Sequence, residues 1–415
     1  MKVLFHNARI LTMLDDKIIN GDLVVDNNRI AYIGKESKDY GLFDRIIECN
    51  QKVLMPGFKN AHAHSAMVFL RDVPENVSLQ EWLFDYVFPR EERLIPSDVY
   101  HLNKVAYLEY LEGGITFCFE HYFYPRESAR STQDMGMRTL LLETFSLGVT
   151  NTSFEELRKD YEFNKEKDGL VRMLVAFHAE YTMDETLLKG VREAIDVFKT
   201  PFYTHISETQ KEVNECYERH QKAPLKYLFD EGLFKYGGGG FHCVHLTDEE
   251  IKICKDHHLN IITCPGSNKK LGSGIAPLTK FLENGINVAL GTDGPASNYG
   301  LDMFMEMQLI VKEQNNAIPP FEILKMATVN ASKAMGLDNI DVLAVGKYAD
   351  IIMLDVKDNQ DVISEIVYRG KKEDVKLTMI NGQILYENGS YNIKESIDSI
   401  YKKAEEISRR IENEL

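Results

Sequence analysis

His62-Ala63-His64 is the first place in this 415-residue sequence where residue type and spacing suggest chemistry. On an extended chain, residues two apart point to the same face, so both imidazoles can offer nitrogen to one metal ion. Alone the pair is a weak signal, because two hydrogen-bonded core histidines would read the same. His205 closes the run Thr200-Pro201-Phe202-Tyr203-Thr204, and Glu208 follows three residues later. If a helix starts there, His205 can ligate while Glu208 hangs over the same site as an acid. Asp293 ends Val288-Ala289-Leu290-Gly291-Thr292, with Gly294 after it to let the backbone turn sharply. A Thr-Asp-Gly by itself is usually only a turn. Taken together, three imidazoles and one carboxylate suit Zn²⁺, or Fe²⁺ nearly as well.

Such residues converge only if the elements carrying them converge. Eight strand-like runs are expected at Val53–Phe58, Ile115–Phe119, Thr139–Leu142, Met173–Phe177, Pro201–Ile206, Phe241–Val244, Asn260–Thr263 and Asn287–Gly291. Amphipathic stretches separate them, among them Ser97–Glu112, Thr186–Phe198, Glu208–Tyr217, Asp248–Asp256 and Leu278–Asn284. Repeated βα units with near-continuous apolar strands predict an α/β fold, a (β/α)8 barrel, whose active site lies at the carboxyl ends of the strands. Seven of the twelve histidines fall at those ends: His62, His64, His121, His178, His205, His242 and His245. Random surface histidines would not gather there.

Both termini read differently from this middle. Short β-branched runs joined by Asn-rich turns fill the first fifty residues, and Asn381-Gly382 between two strand-like runs is a strong hairpin turn. The expected division is a small β-sandwich domain from residues 1–55 and 340–394, a barrel over 56–339, and an amphipathic helix over 395–415 that docks on the body. Gly237-Gly238-Gly239-Gly240 is expected as a flexible lead-in to the sixth strand, with no P-loop Lys-Ser/Thr, and no GxGxxG follows the first strand.

A net charge of −16 repels phosphate backbones and anionic lipid, arguing against nucleic acid and membrane as partners. No apolar run is long enough for a transmembrane helix, and the N-terminus turns polar too soon for a signal peptide. The six cysteines lack CxxC pairing and read as reduced, mostly buried thiols, which fits a cytoplasmic protein and removes cysteine-rich zinc sites from consideration. A small-molecule substrate is expected, and a homo-oligomer is compatible with the composition.

The run from Pro56 to His64, the block His205-Ile206-Ser207-Glu208-Thr209, the stretch His242-Cys243-Val244-His245-Leu246 and the segment Gly291 to Asn298 together resemble the amidohydrolase superfamily. The nearest branch in likeness is the methylthioadenosine/S-adenosylhomocysteine deaminase group, related to chlorohydrolases and cytosine deaminases. Leu79 to Phe84, Pro265-Gly266-Ser267-Asn268 and Leu271 to Pro277 add to the likeness, which spans nearly the whole chain. The resemblance implies one divalent metal held by His62, His64, His205 and Asp293, a proton shuttle at Glu208, and an orienting role for His242. Dinuclear relatives place a carboxylated lysine at strand four; Phe177-His178 stands there, which favours a mononuclear site. The HxE with PCxxC design of other zinc deaminases is absent.

The implied reaction is hydrolytic deamination of an aminated heterocycle, foremost an adenine nucleoside of the adenosine, 5′-deoxyadenosine or methylthioadenosine type, giving the inosine-type product and ammonia. The alternatives are an aminohydrolase or chlorohydrolase of guanine, cytosine, pterin or s-triazine rings, or a cyclic amidase. A noncatalytic scaffold would be marked by lost ligands, and none is lost. By the same resemblance Trp82, Glu91, His178 and Ser297 are substrate contacts, although Arg90-Glu91-Glu92-Arg93 also reads as a solvated charge run. Relatives that accept S-adenosylhomocysteine offer arginines to its carboxylate; this chain has Glu143 at the end of strand three and no arginine in Gly148 to Thr152. Glu143 facing a carboxylate predicts poor turnover of homocysteine-bearing substrates.

Overall fold

The computed structural model describes the chain except residues 36–40, 74–76, 146–154, 156–157, 160–169 and 358–360, and the side chains of 143–145. Eight parallel strands form the barrel: β1 (Phe58–Ala63), β2 (Ile115–Tyr122), β3 (Arg138–Phe145), β4 (Val171–Phe177), β5 (Phe202–Ile206), β6 (Gly238–His242), β7 (Asn260–Thr263) and β8 (Val288–Leu290). β1 to β4 pair in order, as do β5 to β8. The two halves join through single bridges, Ala179 to His205 and Ala63 to Asp293. Helices return the chain between strands, including Pro96–Glu112, Glu185–Phe198 and Asp248–Asp256. Their starts follow from capping chemistry: Asp184 accepts from the Leu187 amide, and Thr247 with Glu250 forms a reciprocal capping box.

Two details of the first and sixth strands differ from expectation. Val53–Pro56 does not belong to the barrel; it pairs antiparallel with Ile351–Leu354 in the terminal sheet, and β1 begins only after Gly57. An apolar run alone carries no mark of which sheet it will join. The glycine run is not a lead-in, because Gly238–Gly240 are buried residues of β6 itself. A Cβ on Gly239 would lie 2.0 Å from the Asn260 carbonyl oxygen of β7, so the missing side chain permits this strand contact.

Inside the barrel, Phe117, Phe119, Leu140, Leu142, Tyr203, Phe241 and Ile262 fill the lumen beneath the mouth. Outside it, strands from both ends of the chain build one nine-stranded mixed sheet with its own core, including Val3, Phe5, Ile10, Leu54, Ile351 and Leu377. At its hairpin, Ile380 pairs with Gln383 across Asn381 (φ 52°) and Gly382 (φ 75°), both left-handed as a tight hairpin turn requires. The C-terminal helix, Ile397–Asn413, is capped by Ser396 and buries Ile400, Ile407 and Ile411. It reaches the body through Arg410 to the Arg93 carbonyl (3.1 Å) and through Glu412 to Arg90 (2.7 Å). All six cysteines are buried and unpaired. Among the described residues, no helix is long and apolar enough to cross a membrane.

The barrel and the terminal sheet are tied by a buried ion pair. Arg138, opening β3, donates through Nε to Asp350 Oδ2 (2.7 Å) and through Nη2 to Asp350 Oδ1 (3.2 Å) and Asn381 Oδ1 (2.9 Å). Removing the carboxylate strands a guanidinium in the interior, so Asp350→Ala is expected to lose about 3–5 kcal/mol of stability. The double change Arg138→Met with Asp350→Leu is expected to recover most of it. Urea unfolding of the three proteins checks this; an unchanged Asp350→Ala midpoint would refute the account.

Candidate active site

His62 lies in β1 and His64 just beyond it, while Asp293 follows β8. Gly291 makes their approach possible, since a Cβ there would sit 2.7 Å from the His62 backbone nitrogen. Asp293 itself takes the left-handed backbone (φ 59°), rather than Gly294, which instead leaves room for Met67 and the His64 side chain. The turn aims Asp293 Oδ1 at His62 Nε2 (3.3 Å) and His64 Nε2 (3.1 Å). Donors about 2.0–2.1 Å from a shared tetrahedral ion would be spaced much like this.

The imidazoles are presented with their lone pairs directed inward. His64 Nδ1 donates to the His121 carbonyl, and His205 Nδ1 donates to the His178 carbonyl (2.6 Å); a carbonyl can only accept, so each Nε2 is free to ligate. Burial pushes His62 down to about 3 and, with His178 beside it, holds His205 well below the ordinary range, so both stay neutral. Burial alone would raise Asp293, but the His62 and His64 imidazoles against it hold its carboxyl well below the usual carboxylate range. Among the described residues, two overlapping groups have ligating atoms within 4.8 Å of one another: His62, His64, His121 and His205, and His62, His205, His242 and Asp293. Both ring nitrogens of His62 are buried and Nδ1 has no hydrogen-bond partner, as suits a ligand. This donor chemistry fits a divalent cation.

Above this cluster stand the groups that could move protons. His242 Nε2 is 3.9 Å from Glu208 Oε2 and 3.9 Å from Asp293 Oδ2. Its ring is fixed by Nδ1 donating to Asn268 Oδ1 (2.8 Å). Glu208 precedes its helix rather than opening it; the helix is Gln210–His220, capped by Thr209. Ser273 Oγ donates to Glu208 Oε1 (3.0 Å), and burial raises the Glu208 carboxyl, with Asp293 adding to the shift and His242 opposing it. Ser267 and Ser297 (2.9 Å) both donate to Asp293 Oδ2.

A cavity opens over these residues, with about 610 Å³ of space between protein atoms and out to solvent. Trp82, Glu91, His178 and Ser297 all line it. Glu91 is buried and accepts from Tyr122 Oη (2.6 Å), while Arg90 turns outward to Glu412, so the charged run is not uniformly solvated. Burial pushes Glu91 up to about 7. Glu143 pairs through its backbone in β3, but its side chain lies outside the described residues, as do residues Gly148 to Thr152. His245 is not in the cavity lining; it donates to the Ser273 carbonyl. Leu79 and Leu83, named in the sequence only as part of the family likeness, form the apolar wall with Trp82 and with Val87, which sequence reading did not single out; their helical spacing with that tryptophan was the available signal. Trp82–Val87 is a π-helical turn, a distortion frequent at functional sites.

An eight-stranded α/β barrel with imidazoles and a carboxylate gathered at its mouth defines a class, the metal-dependent hydrolase barrels. The chain belongs to the amidohydrolase family, whose profile matches residues 53–385, and is a hydrolase acting on carbon–nitrogen bonds. It is 35% identical to a 5-methylthioadenosine/S-adenosylhomocysteine deaminase of Thermoanaerobacter pseudethanolicus, covering 99% of this chain and 100% of that protein. It is also 35% identical to a 5′-deoxyadenosine deaminase of Methanosarcina acetivorans, covering 93% of each. Among solved structures, an adenosine deaminase from Xanthomonas campestris with bound zinc matches with a TM-score of 0.91 and 27% identity, covering 99% of this chain and 98% of that one.

One buried carboxylate outside the cavity joins two of the loops. Glu306 accepts from the Gly266 amide (2.9 Å) and from Asn298 Nδ2 (2.7 Å), linking the segment that carries Ser267 and Asn268 to the one that carries Ser297. Burial pushes it up to about 8 from an ordinary 4.5. Glu306 therefore takes up a proton on folding, and its contribution is complete below about pH 4.5 and lost as pH rises through about 8. Wild type is expected to lose stability relative to Glu306→Gln between about pH 5 and 8, by at most about 1.4 kcal/mol per pH unit. Urea midpoints of both proteins across that range check the slope; a difference independent of pH would contradict it.

Proposed function

We propose that this protein deaminates an adenine nucleoside hydrolytically at one divalent ion, held by His62, His64, His205 and Asp293. The observation that carries the reading is Glu208, His242 and Asp293 meeting over the imidazole cluster, beside an apolar cavity that contains the buried Glu91. Zinc is the first choice for three imidazoles and one carboxylate, with Fe²⁺ second, and the zinc-bearing adenosine deaminase supports that order. The two relatives named above support an adenine nucleoside as substrate.

When bound, the ion supplies Lewis-acid activation of a water, lowering its pKa from about 15.7 toward 7. Asp293 takes the proton of the attacking water as the new bond forms at the amine-bearing ring carbon. Glu208 protonates the adjacent ring nitrogen, drawing charge out of the ring. As the tetrahedral centre collapses, Asp293 passes the water proton it holds to the amine, which leaves as ammonia, and Glu208 recovers its proton from the hydroxyl that becomes the carbonyl. Burial keeps its carboxyl raised toward the range where it can both give and take a proton. His242, held by Asn268, orients the water and stabilises the tetrahedral centre. Trp82 and His178 bound the base and sugar, Ser297 holds Asp293, and Glu91 accepts from the ribose hydroxyls.

Glu208→Gln is expected to lower kcat by about 10²–10⁴-fold with metal content unchanged, measured as ammonia release. Full activity in this variant would remove Glu208 from the mechanism.

The specificity reading rests on Glu143 and the missing arginines. A carboxylate facing a carboxylate costs about 1 kcal/mol or more. Adenosine, 5′-deoxyadenosine and methylthioadenosine are therefore expected to exceed S-adenosylhomocysteine in kcat/KM by about fivefold or more. Equal values would overturn the specificity reading. Ammonia from pyrimidines, pterins or triazines, with none from purine nucleosides, would overturn the substrate class.

A further inference from the structure

His121 has no role in the mechanism above, yet it stands in its midst. Along β2, Phe117 and Phe119 face the barrel lumen, and His121 continues that stripe one step higher, at the mouth. It is 1% exposed and lines the cavity. Its backbone carbonyl is taken by His64, but neither ring nitrogen has a hydrogen-bond partner. Buried polar groups are normally paired, so an imidazole with both nitrogens unmet asks for a ligand. Its ring lies flat against that of His205 (centroids 4.9 Å apart, planes at 20°) and 5.5 Å from that of His64. A ring nitrogen of His121 is within 4.8 Å of ligating nitrogens from His62, His64 and His205, the three imidazoles assigned to the ion.

We propose that His121 is a metal-binding residue, the fourth imidazole of a coordination set with His62, His64 and His205. The proposal rests on the reading of those three as ligands, and it extends the set by one nitrogen. Its chemical consequence is a more nitrogen-rich site. Such a site favours zinc, cobalt, nickel and copper over oxygen-seeking magnesium, calcium and manganese. A lumen-facing hydrocarbon at this position would leave the ion three imidazoles and Asp293 alone.

The direct test is a crystal structure of the zinc-loaded wild-type protein, the ion located by anomalous scattering at the zinc edge. A His121 ring nitrogen about 2.0–2.3 Å from the ion is the expected result. An ion on His62, His64 and His205 but beyond about 3 Å from both His121 nitrogens overturns this proposal and leaves the ligand assignment standing. An ion elsewhere overturns both. Competition with a chromophoric chelator gives a second readout, and His121→Leu is expected to weaken zinc binding by about 10-fold or more. Zinc binding within twofold of wild type in a folded His121→Leu protein would also overturn it.

Discussion

An eight-stranded barrel must close on itself, and here the two closing seams run through the residues proposed to do the chemistry. Between β8 and β1 the Asp293 amide donates to the His62 carbonyl (2.9 Å); between β4 and β5 the His205 amide donates to the His178 carbonyl (3.1 Å). Each seam is little more than one backbone bridge, reinforced by neighbours. Asn60 and Thr292 exchange two hydrogen bonds across the first, and Thr204 Oγ1 donates to Phe177 and His178 carbonyls across the second. Barrel closure and ligand convergence are therefore one geometric event. Phe241 lies stacked under His62, 3.9 Å between centroids, so the packed lumen sets the height of the site.

The rest of the mouth is held by buried polar groups. Glu212 accepts from the amides of Ser207 and Glu208, fixing the turn after β5. Glu120 accepts from the Ser65 amide and holds the chain that leaves His64. Asn268 sets the His242 ring, and Ser267 and Ser297 set Asp293. Burying a carboxylate is unfavourable unless its oxygens are satisfied, and backbone amides satisfy both oxygens of Glu212 and one of Glu120. Loops that would otherwise be free at a barrel mouth thereby become rigid supports for the side chains gathered there.

What could be read from residue order was the chemistry at strand ends: paired histidines, a histidine closing an apolar run, and an aspartate before a glycine. Those patterns are local, and the barrel brought their owners together. Three kinds of feature were not legible. The split of the first apolar run at Gly57 depends on which sheet each half joins, a choice made by residues 300 positions away. The role of Gly238–Gly240 as strand rather than hinge follows from close contact with β5 and β7. Asn268, Ser267 and Ser273 act through side-chain partners 26 to 65 residues distant, and no spacing rule reports such pairs. The charged run at Arg90 to Arg93 was ambiguous for a related reason: one step of helix turns Glu91 into the cavity and Arg90 toward the C-terminal helix.

Because His205 closes its seam through backbone atoms, removing its side chain leaves the barrel wall intact and takes away a proposed ligand. The metal content of His205→Ala, beside wild type prepared with zinc and with circular dichroism as the check on folding, therefore tests the central claim most directly. The account predicts about one equivalent of metal in wild type and less than a tenth of that in a folded His205→Ala protein. Equal metal content in the two would contradict it.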